Sequence, residues 1–199
     1  MDGRTSTFGL VERFKCGDTE AFGLLFRKYQ RRLAVLVHYK LGAQLSASLE
    51  VDDVLQEVFL AASRDIEKFN YLSPGSFMAW LSRIADHVIV DQARFYQRKK
   101  RHAQEMVRFR SESNPGGPDP LDSNTPSRIF SRQEDVKKLL ERMDALPEDY
   151  RRVILLAKFE GLTTQEIAEK LERPKEGVAV LLHRAVKRLQ QLEERTMGR

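Results

Sequence analysis

Apolar residues return at steps of three and four along almost the whole chain. Nowhere do they alternate with polar ones long enough to mark a strand. The pattern predicts an all-α protein. A short helix is expected over Phe8–Lys15, closed by Gly17, with Asp18 placed to cap the next one. That second helix should run from Thr19 to about Leu41, bury Phe22, Leu25, Phe26, Leu33, Leu36 and Val37, and stop at Gly42. A third lies in "LEVDDVLQEVFLAASRDI", with acids in its first turn, where the helix dipole favours them. After the turn-forming "KFNYLSPGS", a long helix is expected from near Phe77 to about Phe109. Its apolar stripe of Phe77, Trp80, Leu81, Ile84, Val88 and Phe95 gives way to Arg94, Arg98, Lys99, Lys100 and Arg101. The first half therefore belongs to a core and the second half leaves it.

The periodicity breaks at Ser111. "SESNPGGPDPLDSNTPS" holds four prolines and two glycines among short polar residues and can build neither helix nor core. It reads as a flexible linker over 110–131, between a first helical domain at 1–109 and a second at 132–199. The second domain opens with "RQEDVKKLLERMDAL", broken at Pro147, and continues with "EDYRRVILLAKF", ended by Gly161. "TTQE" is a T-x-x-E capping box, with Thr163 as cap and Glu166 at the third position. It starts the short "TQEIAEKL"; a tight turn around "ERPKE" then leads to a last helix from Gly177 to about Glu193. Two short helices across a tight turn, the second basic at its far end, form a helix-turn-helix pattern in a four-helix domain.

Composition adds a partner. A chain of 199 residues that is 41% hydrophobic can fill small cores, and its net charge of +5 points to a polyanion, nucleic acid ahead of an anionic membrane. Cys16 is the only cysteine, which excludes an intramolecular disulfide and a cysteine-based zinc cage and suits a reducing cytoplasm. "MDGRTSTFGL" is no signal peptide, and no apolar run reaches the roughly eighteen residues a membrane span needs. A cytoplasmic protein without a membrane span is expected. Phosphate-binding loops, dinucleotide fingerprints and nucleophile elbows are absent, and His38, His87, His102 and His183 stand isolated. No enzyme activity, metal site or cofactor is therefore expected. The pair Asp52–Asp53 reads as helix-N-terminal acids rather than a general acid and base.

Three stretches carry a resemblance: "DDVLQEVFLAASRDIEKF", "FMAWLSRIADHVIVDQAR" and "ALPEDYRRVILLAKFEGLTTQEIAEKL…GVAVLLHRAVKRL". Together they resemble the bacterial sigma-70 family of RNA polymerase sigma factors, in the two-domain extracytoplasmic-function (ECF) group, over nearly the whole chain outside the linker. The resemblance implies a region 2-like first domain and a region 4-like second domain. It implies binding to core RNA polymerase and promoter-specific initiation of transcription. Asp52, Asp53, Gln56 and Glu57 would then form an acidic edge docked on the β′ clamp helices, and the second domain would meet the β flap. The loop before "F-x-x-W-L" would capture a flipped base of the −10 element, with Phe69 and Tyr71 as its aromatic residues. Arg83, His87, Asp91, Arg94 and Arg98 would track the melted strand. Lys175, Val180, Leu181, Arg184, Lys187 and Arg188 would meet the −35 element.

The chain also departs from the family pattern. It reads "R-I-A-D-H", with His87 where asparagine is usual, and the capture loop is a couple of residues longer. Val178, Leu182, Ala185, Leu189 and Leu192 form a buried stripe on the last helix, but Ala179, Val180 and Leu181 stand where polar or basic residues are usual. That apolar tip has two readings: contact with thymine methyls in an A/T-rich −35 element, or a protein contact, for instance with an anti-sigma factor. Two other functions stay open: a stand-alone helix-turn-helix regulator, and a degenerate sigma-like protein acting through protein contacts alone.

Overall fold

The structure, a computed structural model, describes residues 6–111 and 134–197. Nearly all of the expected linker lies outside the described residues, and so do the side chains of Lys99, Lys100, Arg101 and His102. Every regular element among the described residues is helical. Helix α1 covers Thr7–Lys15, α2 Thr19–Ser46, α3 Val51–Asp65 and α4 Ser76–Ser111. After the undescribed segment come α5 at Glu134–Asp144, α6 at Glu148–Ile154, α7 at Thr164–Leu171 and α8 at Lys175–Met197.

Local chemistry sets these boundaries. The Ser6 side chain accepts from the Gly9 amide at the start of α1, and Asp18 accepts from Glu20 and Ala21 at the start of α2. The guanidinium of Arg13, 2.7 Å from Asp18, and those amide donors hold the Asp18 carboxyl below its ordinary range. Gly42 kinks α2 instead of ending it: its φ of 58° breaks the regular backbone, and helical turns resume as far as Ser46. Residues 66–68 add a tight turn to α3. Beyond α6, the backbone widens into a π-helical turn at Leu155–Phe159.

Helices α2, α3 and α4 enclose the first core through Leu25, Leu33, Leu36, Val54, Leu55, Val58, Phe77 and Leu81, all at most 1% exposed. Each such burial contributes about 1.5–3 kcal/mol. Phe22 and Phe26 complete it from its margin, their rings 6.3 and 4.4 Å from that of Phe59. Phe95, expected on the buried stripe of α4, is 58% exposed, because the helix has run past the core by that point. The second core gathers Val136, Leu140, Met143, Ile154, Ile167, Val178 and Ala185 from α5 to α8.

The two helical groups touch along α2. The Tyr39 hydroxyl donates to Asp144 Oδ1 at 2.8 Å, and Arg151 reaches the same oxygen at 3.2 Å. Burial first, and then the Asp144 carboxylate, push the Tyr39 phenol well above its ordinary range, so it stays a donor. Lys40 Nζ lies 2.6 Å from Asp86 and 3.4 Å from Glu160, Arg31 lies 3.7 Å from Asp135, and Arg32 donates to the Lys158 carbonyl. At one point only backbone fits: a Cβ on Gly75 would lie 2.8 Å from the Gly161 carbonyl oxygen. Gly161 itself has φ +79°, which also favours glycine.

Candidate nucleic-acid interface

Arg83, His87, Asp91, Arg94 and Arg98 recur at steps of three and four on α4, and the structure exposes all five. They form one stripe, turned away from the buried Phe77, Met78, Leu81, Ala85 and Ile89. A rigid helix with arginines at this spacing can follow a sugar-phosphate backbone. Asp91 lies 3.7 Å from Arg94 within the stripe. An acid there repels phosphate but can accept from a base amino group. His87 and Asp91 also line a groove between α3 and α4, together with Glu57, Arg64, Asp65 and Gln92. The stripe is thus continuous with the acidic face of α3.

The loop before α4 requires a correction. Phe69 is 4% exposed, its ring 5.3 Å from Phe77 and 4.9 Å from Trp80, so it packs into the core and has no face free for a base. Its spacing from Phe77 and Trp80, across a loop that folds back on α4, puts it inside. Tyr71 is half-buried, with its ring 5.5 Å from that of Phe8. The loop is held by Ser76, whose hydroxyl accepts from the Leu72 and Ser73 amides at 3.3 Å each and donates to the Ser73 carbonyl at 2.7 Å.

On α3, Asp53, Gln56 and Glu57 are exposed, but Asp52 is 6% exposed and does not belong to the outward edge. It stands in the first turn three positions before the buried Leu55, on the flank that turns inward, where the helix dipole favours an acid.

The helix-turn-helix pattern folds as α7 and α8. Thr163 and Glu166 close the capping box reciprocally, the Thr163 amide donating to Glu166 at 2.7 Å and the Glu166 amide to the Thr163 hydroxyl at 3.3 Å. The Thr163 amide, and next its hydroxyl, hold the Glu166 carboxyl below its ordinary range, and Arg83 of α4 adds to the effect. In the turn, Glu172 takes a left-handed conformation with φ 53° and ψ 42°, and Arg173 lies 2.9 Å from Asp149 of α6.

Along α8, Lys175, Val180, Arg184 and Lys187 are exposed and Arg188 is half-buried. Leu181 also requires a correction: it is half-buried and packs against the second core, three positions after Val178 and four before Ala185. The core stripe is wider than its five expected members, and only Ala179 and Val180 remain as an exposed apolar tip. His183, outside the expected −35 set, is exposed three positions after Val180 and four before Lys187. That spacing was the available signal. Among the described residues no group of three or more His, Cys, Asp or Glu side chains could hold a metal ion, and no helix is long and apolar enough to cross a membrane.

With this geometry in place, comparison with known proteins gives consistent matches. The family described as "Sigma-70 region 2" matches residues 25–100, and "Sigma-70, region 4" matches residues 137–189. The ECF RNA polymerase sigma-E factor of Haemophilus influenzae is 31% identical over 179 residues, covering 88% of this chain and 89% of that protein. The protein of the same description from Escherichia coli K12 is also 31% identical over 179 residues, covering 88% of each chain. Among solved structures, that of CnrH in complex with the cytosolic domain of CnrY is 22% identical, covers 97% of this chain and 98% of its own, and gives a TM-score of 0.44. The sigma factor RpoE in complex with the anti-sigma factor NepR from Bartonella quintana is 19% identical, with 86% and 93% covered and a TM-score of 0.39.

Proposed function

The chain belongs to the ECF RNA polymerase sigma factors of the sigma-70 family, and from that premise we propose how its surfaces divide the work of directing polymerase to a promoter. Residues 1–109 bind core polymerase and the −10 element, 110–131 connect, and 132–199 read the −35 element. Asp53, Gln56 and Glu57 dock on a basic surface of the polymerase, for which the β′ clamp is the expected partner; the β flap takes the second domain. Arg83, His87, Asp91, Arg94 and Arg98 follow the melted strand. Lys175, Arg184, Lys187 and Arg188 hold phosphates of the −35 duplex, while Val180 meets base edges or thymine methyls.

One observation carries this reading: Glu57 of the exposed acidic face on α3 lines the same groove as His87 and Asp91 of the α4 stripe, which Arg94 and Arg98 continue along the helix. A regulator that binds DNA alone has no use for the acids. A protein that must hold polymerase and DNA side by side needs both signs of charge. The protein supplies recognition, not bond-making chemistry, needs no cofactor, and works in the cytoplasm where polymerase is. An anti-sigma factor would act by covering these same faces.

Run-off transcription with purified core polymerase on templates carrying candidate promoters is the direct test. A discrete promoter-dependent transcript that disappears without the protein is expected. DNA binding without polymerase and no transcript would favour the stand-alone regulator.

A further inference from the structure

Helix α1 turns Thr7, Leu10 and Val11 inward, at 8%, 2% and 0% exposure, and this leaves Phe8 on its outer side, 52% exposed. The helix is not a loose arm. The Thr7 hydroxyl is 2.8 Å from that of Tyr29 in α2, Ser6 caps its start, and Lys15 Nζ donates to the Phe69 carbonyl at 2.8 Å. The last of these bonds ties the end of α1 to the root of the loop before α4. The Phe8 ring, at the other end of the helix, meets Tyr71 at 5.5 Å with 60° between the planes. A tilted pair of this kind leaves each ring part of a face free. Leu72, next along the loop, is 85% exposed, and Asn70 is exposed on the other side of Tyr71.

The loop has lost Phe69 to the core, so a single loop aromatic, Tyr71, remains for a base. The fixed outer face of α1 adds another. We propose that Phe8 is the second aromatic wall of the site that receives an unstacked base of the melted −10 strand, with Tyr71 as the first wall and Leu72 as its apolar lip. The occupant is a nucleobase of single-stranded DNA: two part-exposed rings and an aliphatic side chain offer stacking to any base, and the Asn70 amide stands beside them for hydrogen bonding to a base edge. The proposal rests on the reading that this loop meets the −10 element, and it adds a residue from an element outside the loop.

The test uses the full-length protein bound to core polymerase, on a promoter carrying 2-aminopurine in turn at each non-template position of the −10 element. With the natural protein, one position shows quenching on open-complex formation that unstacked 2-aminopurine lacks. F8A should abolish this quenching and lower open-complex stability roughly 5- to 150-fold, the equivalent of about 1–3 kcal/mol of stacking. The loss should persist on a template already melted over the −10 element, while closed-complex binding and thermal stability stay unchanged. F8W should restore the quenching and F8L should not. If F8L performs like phenylalanine, aromatic character is irrelevant and the proposal is overturned. If Y71A is defective but F8A behaves as the natural protein, Phe8 is no wall while the loop reading stands. If neither Y71A nor F8A has any effect, the loop reading itself fails, and the proposal with it.

Discussion

The Gly75–Gly161 contact offers the sharpest test of how the two helical groups sit together. Replacing Gly75 by alanine places a Cβ 2.8 Å from the Gly161 carbonyl oxygen, closer than a carbon and an oxygen can stand. Gly75 carries no left-handed φ, so the substitution adds no conformational strain of its own. The obstacle is backbone, which cannot swing aside as a side-chain tip can. Overpacking of this kind costs about 1–3 kcal/mol. Spent on an equilibrium between touching and separated domains, that is a shift of about 5- to 150-fold toward separation. Gly161→Ala should do at least as much, because its Cβ would stand 2.8 Å from the Gly75 carbonyl oxygen and 3.4 Å from the Ala79 amide nitrogen, while its φ of +79° adds a local cost to the second domain. The assay is energy transfer between dyes at the exposed positions Glu67 and Glu169, each changed to cysteine, with Cys16 replaced by serine. Gly75→Ala should lower transfer efficiency while helicity by circular dichroism is unchanged. An unaltered distance distribution in both variants would refute the reasoning, since a contact this close cannot absorb a methyl group without moving.

Three further outcomes follow from the interfaces. Asp53→Lys with Glu57→Lys should abolish co-purification with core polymerase at unchanged helicity, whereas Asp52→Asn, at a buried position, should act on the stability of α3 and not on docking; equal loss of docking from all three would contradict the assignment of faces. Arg184→Ala and Lys187→Ala should each weaken duplex binding similarly across sequences and lower the salt slope by about one, measured by titration at several salt concentrations; unchanged affinity would remove the −35 assignment. The Glu166 carboxyl is held below its ordinary range, so its contribution to the α7 cap is complete above the unfolded value of 4.5 and is lost as pH falls through the lower folded value. Glu166→Gln should therefore flatten the acid limb of thermal stability, and Thr163→Ala should cost about 1 kcal/mol at neutral pH by differential scanning calorimetry.

Periodicity and cap chemistry made most of the helices legible from the sequence, because both are local: Asp18 caps α2 and Thr163 with Glu166 boxes α7 where the spacing put them. The site was legible only by face. A step of three or four says that two residues share a side of a helix, not which side a neighbouring element will cover. Asp52 and Leu181 sit on the margins of buried stripes, and a margin is decided by how far the next helix reaches across it. Phe69 is harder still, since no periodicity reaches across a turn and a loop to reveal that it folds back between Phe77 and Trp80. For Phe8 the sequence shows a helix position and nothing more, because its partner Tyr71 lies sixty-three positions away.

The wide turn at Leu155–Phe159 has a consequence for how this protein can vary. Its amide hydrogen bonds reach back farther than in an α-helix, the Glu160 amide donating to the Leu155 carbonyl and the Leu162 amide to that of Leu156, and Arg32 of α2 donates to the Lys158 carbonyl. That acceptor belongs to the main chain, so any amino acid at position 158 supplies it. Substitution there leaves the contact in place. Removing one residue from the turn would carry this carbonyl about 100° round the helix axis, away from Arg32. The contact is therefore inherited with the length of this segment and not with its letters, and relatives that keep the length can keep it while sharing no side chain there at all.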